Sequence, residues 1–244
     1  YDLILKHKNK KMKDNYFWIG GTHAVMAAIN NPLRKVKKIL STTPINNREI
    51  DQKVIEITSS EKISKVFYPG TIVHQNIAAL ILEIKSGELA DELKENNLKK
   101  IVILDNVTDP RNIGSVIRSS VAFGVDALIV KKRGFNSTSP ALFKASSGTI
   151  EMIKIIECVN FSNAIETLKK NEFWVYGFSS NAKNIFQKNN LNNKNVFIFG
   201  SEDRGISQNI EKKCDYLFKI DISQKVESLN ISNAASIVLH ASVN

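Results

Sequence analysis

From about residue 99 to the end, the chain alternates between short apolar runs and amphipathic helical patterns. "KIVILD", "ALIVKK", "MIKIIEC", "WVYGFSS", "NVFIFG" and "YLFKI" read as strands. Helical patterns follow Asn112, Pro140, Phe161 and Gly205, and a last one follows Ser228. Nearly continuous apolar strands separated by helices predict a parallel sheet covered by helices on both faces, an α/β fold. In open sheets of this kind, ligands collect beyond the C-terminal ends of the strands.

Residues 16–86 make a smaller α/β unit in front. "FWIGG" leads into "THAVMAAINN", where Thr22 can cap a helix with Val25, Ala28 and Ile29 on its apolar face, stopped by Pro32. "VKKIL" reads as a strand, "NREIDQKVIEITSS" as a helix, "KVFY" as a short strand ended by Pro69-Gly70, and "IAALILEI" as a buried strand. The charge-dense stretch around 87–98 reads as a linker carrying a short helix. Residues 1–15, with Lys6, Lys8, Lys10, Lys11 and Lys13, read as a flexible basic arm or a solvated tail. The region of alternating strands and helices is then a second domain, 99–244.

A formal charge of +10 on 244 residues attracts polyanions, with RNA or DNA the usual partner. A Lys- and Asn-rich genome bias would produce the same excess. No apolar run approaches the ~20 residues of a membrane-spanning helix, and the N-terminal stretch lacks the apolar core of a signal peptide. Cys158 and Cys214 are isolated, so neither a zinc site nor a disulfide framework is expected. His23, His74 and His240 are scattered, and no metal is expected. A reduced, cytoplasmic setting is the economical expectation.

Three polar corners fall at the expected sheet edge. In "DPRNIGSVIRSSVAFG", Asn112 can cap a helix whose buried stripe is Ile113, Val116, Ile117 and Val121, with Arg118 at its margin. Arg118 there is either a solvated charge or a functional one, and Arg111 beside the helix start can hold a phosphate. In "FIFGSEDRGIS", Gly200 and Gly205 bracket Ser201, Glu202, Asp203 and Arg204, with Ser207 as a candidate cap. This is neither a Walker loop nor a dinucleotide fingerprint. In "VESLNISNAAS", Ser228, Asn230, Ser232 and Asn233 crowd polar groups where one cap would suffice. Three such corners on one edge exceed what capping needs and point to a site.

In this order and near the end of the chain, the three stretches resemble the signature motifs of the SpoU branch of the SPOUT RNA methyltransferases. The resemblance covers about residues 99–244. In front of it, "IGGTHAVMAAI" and "HQNIA" are similar to the ribosomal-protein-like RNA-binding domain of the 23S rRNA guanosine 2′-O-methyltransferase subgroup. The resemblance implies S-adenosyl-L-methionine as cofactor, ribose 2′-O-methylation as reaction, a C-terminal trefoil knot and a homodimer with the site near the subunit interface. It implies cofactor contacts at Gly200, Ile220 and Leu229. Arg118 matches the essential arginine, expected to clamp the target phosphate and stabilise the developing alkoxide. Asn112 would orient Arg118 or the nucleotide, and Glu202 would take a proton or anchor Arg118. Ser228 and Asn230 would bind the ribose or the methionine end of the cofactor, whereas Ser232, Asn233 and Glu151 read as structural. Two departures are the Asn76 of "HQNIA", where relatives commonly have Gly, and the uncharged tail "LHASVN". The competing expectations are the same reaction on another rRNA site or tRNA, and a non-catalytic RNA-binding or ribosome assembly factor. A nucleotide-dependent α/β enzyme would need a phosphate loop that this sequence lacks.

Overall fold

The computed structural model describes residues 14–46, 50–68, 72–187 and 191–243. Nearly all of the basic arm, and the Pro69-Gly70 turn, lie outside the described residues.

The front unit is a four-stranded sheet. It is built from β1 (Tyr16–Gly20), β2 (Val36–Ser41), β3 (Ile55–Ile57) and β4 (Ile77–Leu82), in the order β1-β4-β2-β3. β4 runs antiparallel to both neighbours, and β3 adds to β2 in parallel. Helix α1 (Thr22–Asn30) buries Ala24, Val25 and Ala28; Gly21, not Thr22, occupies its N-cap position. Two expectations are corrected here. The helix read into "NREIDQKVIEITSS" is instead a 3-10 turn, Gln52–Val54, followed by β3. The β-branched Ile55 and Ile57 suit an edge strand, and pairing with β2 satisfies its backbone. The helix forms later, as α2 (Ser60–Lys65), where the Ser59 hydroxyl accepts from the Lys62 N–H at 3.3 Å. "KVFY" is no strand, because Lys65 ends α2 and Val66–Tyr68 is a turn. Asn76 takes φ +61°, the left-handed conformation that Asn tolerates, so the turn before β4 forms without Gly.

The second unit follows α3 (Leu89–Glu95), the short helix of the linker. Its strands are β5 (Lys100–Asp105), β6 (Ala127–Lys131), β7 (Lys154–Cys158), β8 (Trp174–Phe178), β9 (Asn184–Ile185), β10 (Asn195–Gly200) and β11 (Tyr216–Lys219). They form a seven-stranded sheet, β7-β6-β5-β10-β8-β11-β9, with every pairing parallel. Its helices are α4 (Pro110–Ala122), α5 (Pro140–Ser146), α6 (Phe161–Lys170), α7 (Gln208–Glu211) and α8 (Ile231–Ala241).

Alternate residues of the strands feed two cores. Val102, Leu104, Tyr176, Phe197 and Phe199 face α4, α5 and α8. Ile101, Ile103, Val175, Val196 and Ile198 face α6, α7 and α3. This is the layered parallel sheet expected from the strand–helix alternation. The two-residue β9 was not foreseen, and the helix after Gly205 is a single turn.

The two units are packed together. Ile19, Val25, Ile39 and Ile81 of the front unit join the core that contains α4, α5 and α8. The rings of Phe17 and Phe143 lie 5.2 Å apart. Arg34 meets Glu151 through Nη2 at 2.9 Å and Nε at 3.1 Å, with side chains only 7 % and 2 % exposed. Arg34 also donates to the Leu82 carbonyl (2.9 Å), and Asn31 donates to Glu151 (2.6 Å). Glu151 therefore does more than brace its own loop: it ties the front unit to the second one. The linker is held too, by Lys154–Glu92 at 3.0 Å and by Glu157 N–H donating to the Ser86 hydroxyl at 2.7 Å.

Candidate active site

The neighbouring strands β5 and β10 belong to successive excursions of the chain to opposite sides of the sheet, so their C-terminal ends flank a topological switch point. There the chain must turn sharply. A Cβ on Gly200 would sit 1.9 Å from the carbonyl carbon of Gly205, so only hydrogen fits. Gly205 itself takes φ +64° and donates its N–H to the Ser201 carbonyl at 2.8 Å, closing the loop. Asp105, at the end of β5 and 2 % exposed, accepts the Ser207 N–H at 2.8 Å and fixes where the loop enters α7. Ser207 is the N-cap residue but makes no side-chain cap bond.

Between this loop and the segment after β11 lies a cleft of about 400 Å³. Gly200, Ile220 and Leu229 line it, together with Glu202 and Ser228. Phe178 and Ser179–Asn181, just past β8, complete one wall. No motif pointed to that wall; its only signal was the position of "FSS" at a strand's C-terminal end. Asp105 was also missed, as the last residue of an otherwise apolar strand.

Three polar side chains from the three corners meet at Glu202, which lines the cleft. Asn112 Nδ2 donates to Glu202 Oε1 at 2.9 Å. Asn230 Nδ2 donates to the same oxygen at 2.5 Å and to Asn112 Oδ1 at 3.1 Å. Asn112 is free to do this because α4 begins earlier than expected: Pro110 opens the helix, and the Asp109 carboxylate accepts from the Arg111 N–H at 2.9 Å. Asn112 as cap is thus corrected. At the third corner Asn230, not Ser228, caps α8, its Oδ1 accepting from the Ser232 N–H at 2.9 Å. Ser228 is exposed on the cleft wall.

Arg118 is not part of this cluster. It lies six residues, about 240° of turn, beyond Asn112, is exposed, and does not line the cleft. Among the described residues its guanidinium has no hydrogen-bond or ion-pair partner. Asn112 therefore orients Glu202 and Asn230, not Arg118, within one chain. Asp203 and Arg204 are exposed on the cleft-side loop.

Burial pushes the Cys158 thiol up to about 11 and the Cys214 thiol up to about 12, so both stay protonated near neutrality. His74 contacts Ser64 at 2.9 Å and His240 packs on Phe123. Among the described residues no group of three His, Cys, Asp or Glu could hold a metal ion. Among the same residues no helix is long and apolar enough to cross a membrane.

Residues 99–240 match the sequence model of the SpoU rRNA Methylase family. A Staphylococcus aureus (strain COL) protein named for the TrmH family of tRNA/rRNA methyltransferases is 34 % identical over 234 residues, covering 91 % of this chain and 93 % of its own. A Staphylococcus saprophyticus counterpart is 31 % identical over 233 residues, with the same coverage. In fold, the chain is similar to the SpoU methyltransferase AviRb from Streptomyces viridochromogenes, solved with AdoMet. That likeness has a TM-score of 0.75 at 18 % identity, over 93 % of this chain and 89 % of that one. The AdoMet-bound rRNA methyltransferase of Sinorhizobium meliloti gives 0.74 at 20 %, over 93 % and 86 %. The A. aeolicus TrmH/SpoU tRNA modifying enzyme gives 0.52 at 21 % and covers 63 % of this chain and 82 % of its own. With the family's own sequence model across the second unit and relatives a third identical along nearly the whole length, the chain belongs to the SpoU rRNA methylase family.

Proposed function

We propose that this protein transfers a methyl group from S-adenosyl-L-methionine to a ribose 2′-hydroxyl of RNA, with a guanosine of large-subunit rRNA as the favoured target. The observation that carries the reading is the convergence of two sequence-distant corners, at Asn112 and Asn230, on the Glu202 carboxylate that lines one cleft. The cleft suits the cofactor. Its volume is that of a small-molecule site, and Ile220, Ile222, Leu229 and Phe178 offer apolar surface for a purine. Gly200 lets backbone approach closely, and Glu202 places negative charge near a sulfonium. The segment 220–230, which closes the cleft opposite the Gly200–Gly205 loop, is in this reading part of the family's trefoil knot.

The bound cofactor supplies an electrophilic methyl group. What remains is to place and deprotonate a weakly acidic ribose hydroxyl, a matter of positioning and electrostatics. Glu202 Oε1 accepts two amide N–H bonds, which leaves Oε2 to receive the proton that the ribose hydroxyl gives up. Ser228, on the cleft wall, holds the ribose or the carboxylate end of the cofactor. Arg118 serves as the cation for the target phosphate and the nascent alkoxide. Since it stands outside its own chain's cleft, this role calls for a second copy of the chain to complete the site, with Arg118 and Ile237 of α8 exposed to meet it.

The front unit favours rRNA over tRNA. The structures named as rRNA methyltransferases match 93 % of the chain, whereas those named for tRNA modification match 60–63 %. The deciding experiment is transfer of radiolabelled methyl to protein-free, unmodified large-subunit rRNA, with the modified nucleotide mapped. A single 2′-O-methylguanosine is expected. Transfer to tRNA alone would correct the substrate, and cofactor-free RNA binding without any transfer would overturn the enzymatic reading.

A further inference from the structure

Lys131, Lys132 and Arg133 stand side by side in the turn that leaves β6, all three exposed, and none of the roles above uses them. Among the described residues the charged groups of Lys131 and Arg133 have no hydrogen-bond or ion-pair partner, while Lys132 has Glu157 within electrostatic reach. Adjacent like charges repel, so the triplet works against the turn rather than for it.

The turn is nevertheless firmly built. The Lys132 N–H donates to the Cys158 carbonyl of β7 at 3.0 Å. Gly134 takes φ +101°, and Phe135 packs against the core that contains α4. Just beyond, the Asn136 side-chain oxygen accepts from the Thr138 N–H at 3.1 Å and from its hydroxyl at 3.0 Å.

Its place gives the charge a use. Gly200 pairs with Asp105, and the register of Ile103 opposite Ile129, carried on by two residues, puts Lys131 level with Asp105. The basic turn thus stands two strands, about 10 Å, from the Gly200 corner along the same sheet edge. A Cβ on Gly134 would lie 3.3 Å from the Thr108 methyl, so the turn rests against the segment that leads into Asn112. On its far side Ser137 donates to Glu83 of the front unit. The turn therefore lies between the front unit and the cleft, where its excess positive charge concentrates a polyanion.

We infer that Lys131 and Arg133 bind backbone phosphates of the RNA beside the target nucleotide, on the stretch that spans from the front unit to the cleft. The inference rests on the methyl-transfer reading for the identity of the polyanion. Phosphate contacts position a strand and carry no sequence information, so the turn sets how tightly RNA is held and not which nucleotide is chosen.

The test compares the full chain with two double variants that lose the same charge. One combines Lys131→Gln with Arg133→Gln; the control combines Lys94→Gln with Lys170→Gln, on α3 and α6 in the opposite layer. All four side chains are exposed, so thermal melting should be alike. Binding of protein-free, unmodified large-subunit rRNA is titrated between about 50 and 200 mM salt. The turn variant should bind about tenfold more weakly at the upper salt, and its plot of log affinity against log salt should flatten by about 1.4–1.8, the share of two phosphate contacts. The control should follow wild type. The RNA concentration for half-maximal methyl transfer should rise about tenfold in the turn variant, with the rate at saturation and AdoMet affinity within about twofold. Unchanged affinity and slope in the turn variant would overturn the inference. So would an equal loss in the control, which would make the effect one of overall charge. A lower rate at saturation together with lost AdoMet binding would also overturn it, because the turn would then shape the cleft rather than hold RNA. If wild type binds rRNA but transfers no methyl, the proposed function fails, and the salt slope still decides whether the turn holds phosphate.

Discussion

At Asn112 a shift of three residues in a helix start changes a side chain's task. With Asp109 as cap and Pro110 opening α4, the Asn112 amide is released to reach Glu202, 90 residues further along the chain. Both Asp109 and Asn112 are good caps in sequence, and Pro at the first helical position decides between them. The pairing with Glu202 had no local signature, because it exists only once β5 and β10 are neighbours. A pair of substitutions separates the two tasks. Asp109→Ala should cost about 1 kcal/mol of stability, the usual value for a lost cap, seen as a lower Tm. Asn112→Ala should leave Tm nearly unchanged and reduce single-turnover methyl transfer by about tenfold to a hundredfold. If the two variants behaved alike in both measurements, Asn112 would be a capping residue after all.

Among the elements, those with long apolar runs were readable and the short ones were not. The strands β5, β6, β8 and β10 are apolar on both faces because both faces are covered, and that leaves a continuous signal in sequence. β3 has three residues, and Ile50, Val54 and Ile57 fit a helical stripe as well as Ile55 and Ile57 fit an alternating one. Its identity comes from the parallel register with β2, Ile39 opposite Ile55, which no local pattern contains. The end of β10 was legible as a glycine-bracketed corner, but not the reason for Gly200. That reason is the Gly205 carbonyl carbon 1.9 Å from where a Cβ would go, and the nearest atoms are all backbone of Gly205 and Ile206 rather than a side chain that could give way. Gly200→Ala is expected to lose cofactor binding by at least about a hundredfold in calorimetry, with thermal melting lowered as well. Unchanged affinity would mean that the corner opens without touching the cleft.

At the scale of the whole molecule, the decisive feature is the Arg34–Glu151 pair between the units. Its partners stand 117 residues apart, so the sequence showed an Arg after a helix and a Glu after "SSGTI" with nothing to join them. Removing one partner strands the other in a nearly dry place. Arg34→Ala should therefore destabilise the protein by about 3–5 kcal/mol, visible in urea unfolding. Replacing both Arg34 and Glu151 with apolar residues of similar volume should recover much of that loss. A single-variant cost below about 1 kcal/mol would show that water reaches Glu151 and screens it as on a surface.

The same contact limits how target choice can be exchanged between relatives. The linker at 87–98 looks like the natural seam for a cut, but a front unit grafted there would arrive with its own residue at 34 and face a resident Glu151. Inheritance of a new RNA preference then demands matched changes on both sides of the seam. A recombinant that swaps only what lies upstream of the linker would be born with an orphaned charge in its middle.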